Sequence, residues 1–213
     1  MVKDEDEEQA PASPAEMLRL IAAERGATQR SLQPDPRLTY LTWGVAWFVG
    51  FGLSFLRFGP NERVLVPMPS WLPLAVLYAL LIAAFVISAR AGIKAGQHVK
   101  GESSIRGLQY GLSWFVAFGA VAAIGTRYND VLSGPEIGLL WSGLSVAVVG
   151  VLYMAGAAIW QSWEMFFLGA WISLTNIAGF VAGPGWHALV ICLAGGGGLL
   201  AGGFAAWLRW RSP

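Results

Sequence analysis

Few residues of this chain carry chemistry, and they are scattered. Gln109, Tyr110 and Ser113 fall in one apolar stretch, Thr175 and Asn176 in another. Carboxamides and hydroxyls in such a setting either line a polar path or hydrogen-bond between packed helices. Glu164, beside Gln161 and Ser162, heads a further apolar stretch. A carboxylate there is stabilised by a helix dipole, or marks a pore mouth or a partner contact. Glu136, three residues after Ser133, reads as a capping box at a helix start.

The missing chemistry narrows the function. No glycine-rich loop ends in Lys and Ser/Thr, so the chain is not expected to hydrolyse nucleotides itself. His98 and His187 read as residues of gaps on opposite sides, which argues against a shared metal or haem. No nucleophile–base pair can be assembled, so no catalytic residue, cofactor or metal is expected, and the chain reads as a non-enzyme. Cys192, the single cysteine, excludes an intramolecular disulfide and suits a small packing residue. Net charge is +1, without the concentrated basic face that nucleic acid requires.

What must position these side chains is a set of six apolar stretches, at 38–56, 72–89, 105–125, 137–159, 165–182 and 186–208. Their interiors are read as holding no Asp, Glu, Lys, Arg or His. Hydrophobic residues make up 55% of the 213 residues and charged ones only 13%. Each stretch approaches the ~20 residues that a helix needs to cross a ~30 Å hydrocarbon layer. The fold class is therefore all-α: a polytopic membrane protein with six transmembrane helices over 38–213. No carboxylate sits mid-membrane, which weighs against an autonomous ion-coupled carrier. The run from Ile137 to Ala182 is broken only at Gln161, Ser162 and Glu164. As one helix it would be roughly 70 Å long, so it must fold back there although no Gly or Pro marks a turn.

Residues 1–37 read as an acidic disordered tail followed by a short helix. Asp4 to Glu8 is a like-charge block, too acidic for a cleavable signal peptide. Ser13-Pro14-Ala15-Glu16 then starts a helix over about 14–32, with Met17, Leu20 and Ile21 on one side. It is expected to lie in the membrane interface or to dock on a partner. Pro34-Asp35-Pro36 ends it.

Eleven of the 14 Lys and Arg residues fall on the N-terminal side of the spans, and only Arg57, Arg63 and Arg127 on the other. The positive-inside bias then places both termini in the cytoplasm. Tryptophans such as Trp43, Trp71, Trp160 and Trp186 sit near span ends, where aromatic belts form. The longest internal gap, 90–106, carries Arg90, Lys94, His98, Lys100 and Arg106. It is expected to meet anionic lipid or a cytoplasmic partner.

Glycine supplies the remaining signals. Gly183-Pro184-Gly185 is a tight external turn. Gly107/Gly111, Gly179/Gly183 and Gly198/Gly202 have close-packing spacing. Gly195, Gly196, Gly197 and Gly198 in succession predict either a hinging, discontinuous sixth helix or tight packing on a bulky neighbour. Leu41–Gly52 also aligns without gaps to Leu108–Gly119, with Gly44, Trp47 and Phe51 matched by Gly111, Trp114 and Phe118. Spans one and three run the same way, so this would be a parallel repeat of a hairpin.

Six spans, a leading helix and a basic loop after span two resemble the permease subunit of an ABC-2-type exporter, although the connection 183–185 is shorter than that family's. The resemblance implies a separate ATPase bound at the loop. The compact size is also similar to the substrate-binding subunit of an energy-coupling-factor importer. A broader likeness, carried by Ala15-Glu16-Met17-Leu18, Gln33-Pro34-Asp35-Pro36-Arg37, Tyr40, Trp43-Gly44 and Trp47, is to uncharacterised six-span membrane proteins of high-GC Gram-positive bacteria. The expected function is a membrane-embedded subunit of a transport system in the bacterial inner membrane. Its expected partners are the bilayer, an ATPase or other membrane or cytoplasmic subunit, and further copies of itself. The alternative is a non-transporting scaffold or sensor that recruits a cytoplasmic regulator.

Overall fold

The structure is a computed structural model that describes residues 13–21, 36–96 and 102–211. The acidic tail, residues 22–35, His98 and Lys100 lie outside the described residues. Residues 14–21 are helical, and the Ser13 hydroxyl accepts from the Glu16 amide at 3.2 Å, which caps the segment as its sequence suggests. Met17, Leu18, Leu20 and Ile21 on it are all exposed.

Five long helices come next: α1 (Pro36–Arg57), α2 (Leu72–Gly96), α3 (Glu102–Tyr128), α4 (Gly134–Trp160) and α5 (Trp163–Ala182). The sixth span is composite. It begins as α6 (Trp186–Val190), continues as a π-helical segment (Ile191–Gly196) and ends as α7 (Gly197–Arg211). Among the described residues six helices are long and apolar enough to cross a membrane, and none is in a strand. Within hydrocarbon only such helices or closed barrels satisfy their own backbone groups, so the protein is a multi-pass α-helical membrane protein. Its large exposed side chains, Phe115, Val181 and Phe85 among them, are those a lipid-facing surface tolerates.

Local chemistry sets the turns. After α4 the chain reverses at Gln161, which takes a left-handed conformation (φ 52, ψ 45). Ser162 then caps α5 by accepting from the Met165 amide at 3.3 Å. A glutamine thus does what glycine usually does, because the packing of α4 on α5 demands a reversal at that residue. Ser133 stands at the cap position of α4 without a side-chain cap hydrogen bond, so the capping box expected there does not form. Gly183 (φ 90) and Gly185 (φ 80) make the turn before span six. A methyl on Gly185 would lie 2.6 Å from the Gly59 carbonyl carbon, so this turn rests on the α1–α2 loop. α2 and α3 also extend into the stretch 90–106, which is mostly helix ends, with Arg90 and Lys94 on α2 and Arg106 on α3.

Neighbouring helices lie in the order α2, α1, span six, α5, α4, α3. α2 and α3, consecutive in the chain, share no extended interface. Span six is the most enclosed, with 39% of its apolar window buried against 6% for α3. The core comprises Ala46, Trp47, Phe51, Val146, Ile172, Ile191, Cys192 and Leu199, where α1, α4, α5 and span six meet.

Glycines mark the close approaches, but not by the expected pairs. Gly107 and Gly111 face open space, as do Gly183 and Gly202. Of the expected pairs only Gly179, against His187, and Gly198, against Trp171, meet a neighbour, and the other close contacts fall at Gly50 on Leu77, Gly196 on the Phe48 backbone, and Gly150 with Gly169. The matched segments of spans one and three also differ. Each directs a polar aromatic head to the next helix: Trp43 Nε1 donates to Ser88 Oγ at 3.0 Å, and the Tyr110 hydroxyl to the Leu152 carbonyl at 2.8 Å. Yet Gly44, Trp47 and Phe51 are buried, while Gly111 and Phe118 are exposed and Trp114 is half-buried. α1 has helices on both sides and α3 on one.

A methyl on Gly169 would lie 2.7 Å from the Gly150 carbonyl oxygen. Gly169→Leu is therefore expected to destabilise the fold by at least the ~1–3 kcal/mol of ordinary overpacking. Gly107→Leu, facing open space, should leave stability unchanged. Unfolding titrations in mixed micelles compare the two.

Candidate functional site

The Gly183–Gly185 turn delivers His187 into the first turn of span six, where its amide donates to the Gly183 carbonyl at 3.0 Å. The imidazole points inward and is 2% exposed. It is therefore a core residue and not the gap residue that its sequence position suggests. Gly179 on α5 makes room for it, since a methyl there would approach His187 Cδ2 to 3.0 Å. The Phe51 ring of α1 meets the imidazole edge-on, with centroids 6.4 Å apart at 71°.

Both ring nitrogens have partners. His187 Nε2 lies 2.9 Å from Asn176 Oδ1. Asn176, itself buried, donates through Nδ2 to the Gly143 carbonyl of α4 at 2.9 Å. That bond fixes the amide orientation, so the oxygen faces the histidine and Nε2 carries the proton. His187 Nδ1 lies 3.2 Å from Ser142 Oγ. The same hydroxyl is 2.9 Å from the Gly138 carbonyl and 3.2 Å from that of Leu139. One hydroxyl proton is thus offered to a ring nitrogen and two carbonyls of its own helix.

Ser142, Asn176 and His187 tie α4, α5 and span six together through polar contacts inside a largely apolar bundle. The order Ser–His–Asn superficially resembles a nucleophile triad, but the geometry is that of a structural tie. The serine also bonds within its own helix, and the enclosed imidazole leaves no space for a reacting group between the partners. Among the described residues no group of three His, Cys, Asp or Glu side chains could hold a metal ion.

The other candidate residues are distributed around the molecule. Thr175 is buried beside Asn176 on α5. Gln109, Tyr110 and Ser113 lie on α3, away from that pair, and the Ser113 hydroxyl donates to the Gln109 carbonyl of its own helix at 2.9 Å. The structure therefore does not assemble spans three, five and six around one polar path. The block Gly195–Gly198 is not a break: Gly197 is right-handed helical (φ −60, ψ −39) and donates to the Cys192 carbonyl in the π pattern. Gly195 and Gly196 are buried against Trp47 and Phe48, and Gly198 faces the Trp171 indole. That indole donates to the Ala194 carbonyl at 2.9 Å, supporting the segment where helical geometry changes. Glu164 is exposed in the first turn of α5, and Arg90 and Arg106 are exposed near helix ends.

Sequence reasoning missed His187 and Ser142. The signal for His187 was a histidine flanked by apolar residues directly after Gly-Pro-Gly. Ser142, one hydroxyl in a long span, carried none. No family model, curated protein or solved structure matches the chain.

Asn176→Leu leaves the His187 Nε2 proton without its acceptor, and His187→Phe leaves Asn176 Oδ1 without its donor. Each substitution is expected to cost about 1 kcal/mol, and the double variant about 1 kcal/mol less than the two together, because they remove one shared bond. A double-mutant cycle from unfolding in mixed micelles reads this coupling.

Proposed function

We propose that the protein is the membrane-embedded subunit of a transport system, working with a separate partner in the inner membrane and with both termini cytoplasmic. The observation that carries this reading is the composition of span six. The most enclosed helix contains a π-helical segment and lies between the α1–α2 hairpin and the α3–α5 group. π-Segments recur at functional sites, and helices packed through glycine can slide past one another. A partner acting at the cytoplasmic end could shift such an element. The exposed apolar residues Met17, Leu18, Leu20 and Ile21 offer that partner a docking face.

The orientation rests on the basic-residue bias, and the transport assignment on the likeness of layout to ABC-2-type permeases. We read the protein as non-enzymatic, since the serine of its polar network shares its one proton between the His187 ring and carbonyls of its own helix. A scaffold or sensor is the second reading. It is favoured by the position of two cavities on the outer face of α3, away from span six.

Purification from native membranes in mild detergent tests the first reading. An ATPase should co-purify in fixed ratio, be released by Met17→Asp with Ile21→Asp, and support solute flux when both are reconstituted. Recovery of a regulator without flux favours the second reading, and recovery of the protein alone contradicts the first.

A further inference from the structure

Two cavities open on α3. One, of about 300 Å³, is lined by Arg106, Gln109, Tyr110, Ser113 and Ile159. The second is a shallow, open depression lined by Gln109, Leu112, Ser113, Val116, Ala117 and Ala120. They share Gln109 and Ser113, so they form one groove that descends α3 from its basic end. From Arg106 to Ala120 the helix rises about 20 Å, the depth of one leaflet from headgroup to near the midplane.

Polarity changes along that depth in one direction. A guanidinium stands at the mouth, a carboxamide and a hydroxyl come next with Leu112 beside them, and beyond lie only Val116, Ala117 and Ala120. The Tyr110 hydroxyl bonds the Leu152 carbonyl of α4 at 2.8 Å and fixes the wall of the upper cavity. The surrounding sequence 90–106 holds four basic residues and one acidic residue, Glu102.

We propose that this groove is a binding site for an anionic phospholipid. Its phosphate lies against Arg106 and Gln109, and one acyl chain runs along Ala117 and Ala120. Guanidinium matches phosphate oxygens in a two-pronged geometry, and a basic residue at this depth attracts anionic headgroups in preference to zwitterionic ones. A transmembrane helix from another chain would have to bury the Gln109 carboxamide and the Arg106 mouth, whereas a lipid complements both. The inference is independent of whether the protein transports a solute.

Native mass spectrometry of the full chain, released from nanodiscs of equimolar phosphatidylglycerol and phosphatidylcholine, tests this. Phosphatidylglycerol should be retained preferentially. Arg106→Gln should reduce its retention about fivefold, the worth of one basic residue at an anionic surface. Ala117→Phe, which fills the lower groove, should reduce retention of both lipids. Arg127→Gln, at the opposite end of the same helix, should change neither. Equal retention of the two lipids, or undiminished retention in both Arg106→Gln and Ala117→Phe, overturns the proposal. So does a Ser113→Cys variant that cross-links in membranes to the same position of a second copy, because a helix then occupies the groove.

Discussion

Span six meets α1 at backbone distance, and the rest of the bundle depends on that contact. Gly196 sits against the Phe48 backbone, Gly44 against Leu200, and Gly203 against Leu41. One turn before Gly196 the Cys192 thiol donates to the Phe48 carbonyl at 3.2 Å. Lipid is as apolar as leucine, so no hydrophobic force drives helices together within a bilayer, and close van der Waals packing must replace it. A π-helical turn inserts an extra residue into the ladder and rotates the residues after it. In span six the turn lies between His187, which serves α4 and α5, and Leu200, which serves α1. One helix can thereby satisfy two differently oriented neighbours.

The buried polar network arises from the same constraint. A histidine, an asparagine and a serine placed in hydrocarbon must find partners in protein, because no water competes for them. Here they find one another and three α4 carbonyls, with the Asn176 amide fixing the sense of the chain of bonds. This locks one end of span six to α4 and α5 and leaves its glycine-lined middle to α1. α3, packed chiefly on α4, is free to present its groove to lipid.

The sequence is informative wherever membrane insertion dictates composition. Charge-free runs of sufficient length read as six spans, and the fold-back near Gln161 is required by bilayer thickness alone. Faces are not legible. The spacing of Gly107 and Gly111 equals that of a close-packed pair, yet both face outward, since spacing does not say which side of a helix has a neighbour. The repeat of spans one and three fails to imply equal environments for the same reason. Of the candidate polar residues, Asn176 joins the network, but His187 reads as a gap residue because a polar ring beside a Gly-Pro-Gly turn looks like loop. The glycine block announces unusual geometry without distinguishing a break from a π-segment, which depends on Trp171 and Phe48 from other helices.

The register of span six on α1 sets the packing of the other helices, and the native cysteine offers a direct test of it. A Cβ on Gly52 would lie 3.4 Å from Cys192 Sγ, within reach of a disulfide. Oxidation of Gly52→Cys in native membranes should give a single intramolecular cross-link, reversed by reductant and read by intact mass. Two free thiols after oxidation, or cross-links only between separate chains, would contradict this packing and the role of the π-helical segment that produces it.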